Sequence, residues 1–150
     1  MISVYVDMSN LNLDKKIEHI CHEEKSKLAV HNRLAEMCDP YVPMDSGTLA
    51  QTTRITSDGV TYSSPYAHYQ YEGQVYGPNI PIIQDGIVVG WFSPPRKKKH
   101  PTGAEINYSK EVHPLATSHW DKAMLRDNKD KFEAEIKRIL TERYNELYGK

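Results

Sequence analysis

The chain has 150 residues, a mass of 17.2 kDa and a formal net charge of −1. That length fits one domain able to bury a core without disulfides or metal, and the near-neutral charge argues against a general nucleic-acid binder, which is usually strongly basic. Hydrophobic content is 39 % and mean hydropathy −0.66, with ten Tyr against two Phe, so the core is small or much of the surface meets a partner, a role that suits the amphipathic tyrosine ring.

In chain order, Ile2, Val4 and Val6 alternate onto one side and predict a short strand over residues 2–7. Asn10 or Asn12 can cap the helix that follows, with Asp14 in its first turn. Leu13, Ile17, Ile20, Cys21, Leu28, Leu34, Ala35 and Cys38 recur near helical spacing until Pro40 stops the pattern. This predicts one long amphipathic helix over ~12–38, with room for an interruption near Ser26. In such a helix Cys21 and Cys38 would stand about 25 Å apart, beyond the reach of a disulfide, which fits a reducing compartment.

The stretch PYVPMDSGTL is a turn-rich linker, with Pro43, Asp45, Ser46 and Gly47 supplying turn chemistry. A hairpin follows with Asp58–Gly59 at its tip in a type I′ turn, and Ile55, Val60 and Tyr62 as apolar members. Then comes YAHYQYEGQVYG, with Tyr66, Tyr69, Tyr71 and Tyr76. In a strand Tyr69 and Tyr71 would share a face; in a helix Tyr66 and Tyr69 would. Either way they cannot all enter one core, and Gly73 permits a sharp backbone change after them.

IPIIQDGIVVGWF is a second hairpin pattern with Asp85–Gly86 at the tip. SPPRKKKHPTG, with three prolines, a glycine and the basic run Arg96, Lys97, Lys98 and Lys99, reads as a loop. The stretch HPLATSHWDKAML is expected to form a short helix, with Thr117 or Ser118 as N-cap and Trp120, Ala123 and Met124 inward. A terminal helix then carries Phe132, Ile136, Ile139, Leu140, Tyr144 and Leu147 as its apolar stripe. No apolar run approaches membrane-spanning length, and the first residues lack the pattern of a signal peptide.

Charge is divided unevenly. Residues 1–75 carry ten acids and six bases, residues 76–150 ten acids and thirteen bases, giving −4 and +3. A bipolar subunit suits head-to-tail packing.

Three candidate chemistries can be weighed. His19 and His22 stand at i, i+3, but no third ligand joins them at a metal-site spacing. His100, His113 and His119 lie within twenty residues, yet neither HExxH nor a nucleophile elbow is present, so a metal-dependent hydrolase has little support. A nucleic-acid module would use Tyr69, Tyr71 and Trp91 with the Arg96–Lys99 loop, and would bind with steep salt dependence.

Three segments together resemble one family: Pro43-x-Asp45-Ser46-Gly47-x-Leu49; Tyr66-Ala67-x-Tyr69-x-x-Glu72-Gly73; and His113-Pro114 followed by His119-Trp120-x-x-Ala123-Met124. In order and spacing, from about residue 10 to 148, the chain is similar to minor capsid proteins of tailed bacteriophages, the tail-completion or head–tail connector proteins of the neck. The resemblance implies an α+β fold in which a long N-terminal helix and a C-terminal helix pack on a small curved antiparallel sheet. It further implies a ring, commonly of six subunits, around the DNA channel between the head-closure proteins and the tail terminator or tail tube. It implies no catalytic residue and no cofactor, and a location in the virion neck after synthesis in the host cytoplasm.

By position, Asp45, Ser46 and Gly47 form the turn into the sheet, Gly73 ends the tyrosine joint, and Trp120 anchors the helix after it. Tyr66, Tyr69, Tyr71, Tyr76, Trp91 and Phe92 become candidates for a subunit or partner interface, and Arg96 to Lys99 for a loop facing DNA or a partner. Tyr66 is expected to be the more buried, and Tyr71 or Tyr76 the more exposed, in an isolated subunit. The chain departs from the compact pattern by its extra strand at 2–7 and by an extended hairpin and basic loop at about 74–112, within what is otherwise expected to be one neck-protein domain.

Overall fold

The structure, a computed structural model, describes residues 2–43, 52–64, 67–77, 80–92 and 100–149, with the side chains of Asn10, Tyr76, Trp91 and Pro101 left out. It is an α+β fold: a helical pair packs on a small antiparallel sheet. Among the described residues the strands are β1 (Ile2–Val4), β2 (Thr53–Thr56), β3 (Gly59–Tyr62), β4 (Gln74–Gly77), β5 (Ile80–Gln84), β6 (Ile87–Phe92) and β7 (His100–Glu105). The helices are α1 (Lys15–Glu18), α2 (Glu24–Cys38), α3 (Ala67–Glu72) and α4 (Trp120–Tyr148).

The long helix expected over ~12–38 is two helices, α1 and α2, joined by a turn that contains Ile20 and Cys21, both buried. The break falls before Ser26. Glu23, in extended conformation, caps α2 and accepts from Arg143 of α4 at 2.5 Å. The turn thus fastens the start of α2 to the end of α4. On α2, Ser26, Val30, Leu34 and Cys38 recur every four residues and are buried, the spacing that lines one helix face. Because Cys21 lies in the turn before α2, helix rise does not set its distance from Cys38; both thiols are free and buried. Burial pushes the Cys38 thiol up to about 12.

The sheet has order β1-β3-β2, all antiparallel, with Val60 of β3 facing Val4 on one side and Ile55 on the other. The β2–β3 turn residues are Ser57 and Asp58, one position earlier than the sequence suggests, and neither has positive φ. Thr56 holds the turn by accepting the Asp58 N–H at 3.2 Å. Gly59 lies inside β3 at φ +154°, and a Cβ there would meet the Val4 carbonyl oxygen at 2.6 Å. The glycine is needed for close approach of β1, not for a type I′ tip.

The short and terminal helices expected after residue 117 meet end to end in α4, divided by the non-helical backbone of Asn128 (φ −135°, ψ 25°). Asn128 Nδ2 donates to the Tyr41 hydroxyl at 3.1 Å and to the Met124 carbonyl at 3.3 Å, and Tyr41 donates to Asp127 at 3.0 Å. A side chain bonded into the helix ladder accounts for the kink. The N-cap is His119, at φ 47°, and it makes no side-chain cap bond. Trp120, Ala123, Met124, Phe132, Ile136 and Leu140 are buried, Ile139 and Tyr144 pack partly against the core, and Leu147 is exposed. Val30, Leu34, Val60, Trp120, Met124, Ile136 and Leu140 make the wholly enclosed centre.

The second hairpin stands where the sequence places it. Gln84 pairs with Ile87, and Asp85 and Gly86 both take positive φ, the geometry of a type I′ turn. The loop reading of 93–103 is corrected at its C-terminal end: His100–Glu105 is β7, paired antiparallel with β4. A two-stranded ribbon tolerates Pro101 because no third strand needs its missing N–H, and a register shift beside Gly103 (φ +83°) absorbs the glycine. β5–β6 is therefore nested in sequence inside the β4–β7 pair.

Candidate functional site

α3 carries the tyrosine stretch. Three carbonyls near its end are taken: Tyr69 accepts from the Gly73 N–H at 2.9 Å, Gln70 from the Tyr108 hydroxyl, and Tyr71 from the His119 N–H at 2.9 Å. Gly73 takes φ +79°, the left-handed helix terminus that glycine favours, and a Cβ there would stand 2.8 Å from the Ser118 Cβ. Its carbonyl accepts from the Ile106 N–H at 2.9 Å. Helix α3, the segment 106–119 and the start of α4 are thereby locked together.

Tyr71 is half-buried within this joint. Its hydroxyl donates to Asp121 at 2.8 Å, and its ring stands edge-on to Trp120 at 5.0 Å and 90°. Burial first, then the Asp121 carboxylate, raises its phenol above the usual range. Tyr62 meets the same Trp120 ring at 5.1 Å. The Tyr71 hydroxyl and ring are both engaged within the chain, whereas Tyr66 and the Tyr76 side chain, its comparators in the expected order of burial, lie outside what is described. Tyr69 is partly buried, with its ring 5.6 Å from His68. Tyr76 lies on β4 and Trp91 on β6 by their backbones, whereas Tyr66, Asp45–Gly47 and Arg96–Lys99 lie outside the described residues. The nucleic-acid reading therefore loses Tyr71 as a free stacking ring.

The histidines do not converge. His113 Nδ1 lies 2.7 Å from the Val42 carbonyl oxygen and its Nε2 3.6 Å from Asp39; His119 Nε2 lies 3.9 Å from Glu72; His100 is exposed on β7. His19 sits in the turn after α1, against Tyr144 and Tyr148, so it does not share a helix face with His22. Among the described residues no group of three His, Cys, Asp or Glu side chains could hold a metal ion.

Two apolar surfaces are left, and sequence reading singled out only part of the first. On the β5–β6 arm, Ile80, Ile82, Ile83, Ile87, Val88, Val89 and Phe92 are all exposed, Ile83 to 61 % and Ile87 to 67 %. Pairs Ile80–Phe92 and Ile83–Val88 flank a bulge, so both faces of the arm carry apolar side chains. The arm's one charge is Asp85, at the tip. The second surface is a groove of about 290 Å³ between the end of β1 and α4. Val4, Val6, Leu11, Leu34, Leu125, Phe132 and Ile136 give it apolar walls, and Asp7, Asp121, Lys129 and Glu133 also line it. This groove had no sequence signal, because residues from β1, α2 and α4 assemble it only in the fold.

Fold and surface together define an α+β module whose conspicuous exposed feature is apolar contact area. Residues 2–140 match the family model of minor capsid proteins, so the chain belongs to the minor capsid protein family of phage structural proteins. No curated protein and no solved structure matches the chain significantly.

Proposed function

We propose that this minor capsid protein is a neck component, forming a ring, hexameric by the family resemblance, that completes the head–tail joint around the DNA channel. The observation that carries the reading is the apolar β5–β6 arm. Seven large side chains left in water on a subunit that otherwise buries its core are unfavourable in a monomer, and a contiguous patch of that kind marks a contact surface. Membership in the minor capsid family supports placement in the particle.

The ring's partners would be a head-closure protein on one side and a tail terminator or tail-tube protein on the other, with Arg96, Lys97, Lys98 and Lys99 facing a partner or passing DNA. Tyr69, Tyr76, Trp91 and Phe92 are the residues we assign to the subunit or partner boundary; Tyr71 would reach it only by its half-exposed edge. The function is mechanical, without catalysis or cofactor: contacts close a ring and loops dock neighbouring layers. Mass spectrometry of purified particles tests it, since a neck ring predicts a few copies per particle and the reading fails if the protein is absent.

A further inference from the structure

Native proteins keep edge strands from pairing with other chains by shortness, charge or proline. Most strands here carry one of these devices: β1 has three residues, β2 carries Arg54, β5 carries Pro81, and β7 carries Pro101 and Glu105. β6 differs. It runs six residues, Ile87–Phe92, with neither a charge nor a proline, and no strand lies on its outer side among the described residues. Its one irregularity is the bulge at Val89; Val88 stands on the tip side of it, in regular register with Ile83. Gln84 and Ile87 close a two-residue turn and so form a hydrogen-bonded pair, and the ladder alternates, so the main-chain groups of Val88 face outward.

We propose that in the free protein the arms of two copies pair antiparallel along β6, making one four-stranded sheet by an isologous contact. A two-stranded hairpin is marginal in water, and three or more strands make it stable. Main-chain bonds give strand addition its affinity, so the contact does not depend on a large buried area. Charge selects the partner and the direction. The sequence IVVGWF is uncharged and Asp85 is the arm's only charge, so β6 offers a foreign protein no charge to recognise and lies against its own copy without repulsion. Antiparallel pairing centred on β6 holds the two Asp85 carboxylates about 30 Å apart at ~3.4 Å per residue, well beyond the ~8 Å Debye length. Parallel pairing would bring them to about 5 Å. The exposed Ile87, Val88, Val89 and Phe92 gain apolar cross-strand neighbours. An isologous contact joins copies two by two, whereas a ring repeats a heterologous one. The arm pair is thus a state of the free chain and, on the neck reading, entry into the ring exchanges it for the contact made there.

Sedimentation of the full chain over a range of concentrations, with circular dichroism to check folding, tests the pairing. The wild type should show a monomer–dimer equilibrium. Val88→Lys puts a charge on the paired edge of both copies and should weaken dimerisation about tenfold or more. Val88→Pro, which removes the outward N–H, should do the same. Ile83→Lys changes a side chain that is also exposed, but on β5, and should leave the dimer nearly intact. Spin labels on Asp85→Cys, with Cys21 and Cys38 buried, should lie about 30 Å apart. A wild type that stays monomeric at every concentration overturns the pairing. So does association that Ile83→Lys weakens as much as Val88→Lys, or labels in close contact. None of these results touches the neck reading, which imaging of particles decides; absence from the particle would defeat that reading and leave the arm pair standing.

Discussion

The Tyr71 hydroxyl donates to the Asp121 carboxylate at 2.8 Å while its ring stands perpendicular to Trp120, the residue beside that aspartate. One side chain on a six-residue helix thus joins α3 to the first turn of α4 by a polar and an aromatic contact. The tyrosine is a joint within the subunit before it can be anything between subunits.

Tyr71→Phe should therefore cost about 1 kcal/mol, the usual net worth of such a hydrogen bond, because Phe keeps the edge-on ring. Tyr71→Ala should cost clearly more, losing the aromatic contact and opening space over the fully buried Trp120. Urea unfolding of both variants checks this; equal costs would show that the hydroxyl alone matters.

Gly59→Ala tests the sheet. The added methyl must displace the Val4 carbonyl, 2.6 Å away, at a φ of +154° that other residues rarely adopt. We expect a loss of at least ~1 kcal/mol with weakened β1–β3 pairing, read as faster amide exchange in β1 and β3. Gly86→Ala also suffers at its φ of +78° but meets nothing within 4 Å, so exchange in β1 and β3 should stay slow there.

His31 gives the fold a pH dependence. It is buried on α2, and its Nε2 accepts the Val6 N–H at 3.1 Å. Desolvation lowers its pKa below 6.5, and Lys27 adds to that, against the raising effect of nearby backbone groups and Asp58. The unfolded chain then takes up a proton at a pH where the folded one does not. Stability is full above pH 6.5 and falls as pH drops from there towards the folded value. His31→Gln keeps an acceptor for Val6 and cannot titrate, so its stability should change less between pH 7 and 5. An unchanged slope in chemical denaturation would assign the effect elsewhere.

What the sequence made legible follows its periodicities. The alternation at the N-terminus, the four-residue spacing of the α2 and α4 stripes and the Asp85–Gly86 turn each specify their element locally and each is present in the fold, although β1 ends at Val4, short of the expected 2–7. The misreadings come from tertiary contacts overriding local pattern. The turn that buries Ile20 and Cys21 divides the expected long helix into α1 and α2. β7 went unseen because His100-Pro-Thr-Gly has poor strand propensity and gains its strand from pairing with β4. The arm's apolar sequence was plain, but that it stays exposed appears only in three dimensions.

The most direct test of the account is cryo-electron microscopy of purified particles, resolved at the head–tail joint. A closed ring of this chain in the neck, coaxial with the DNA channel, is the predicted result, with each β5–β6 arm at a contact with a neighbouring molecule. Intact particles whose neck contains no density for this chain would contradict it.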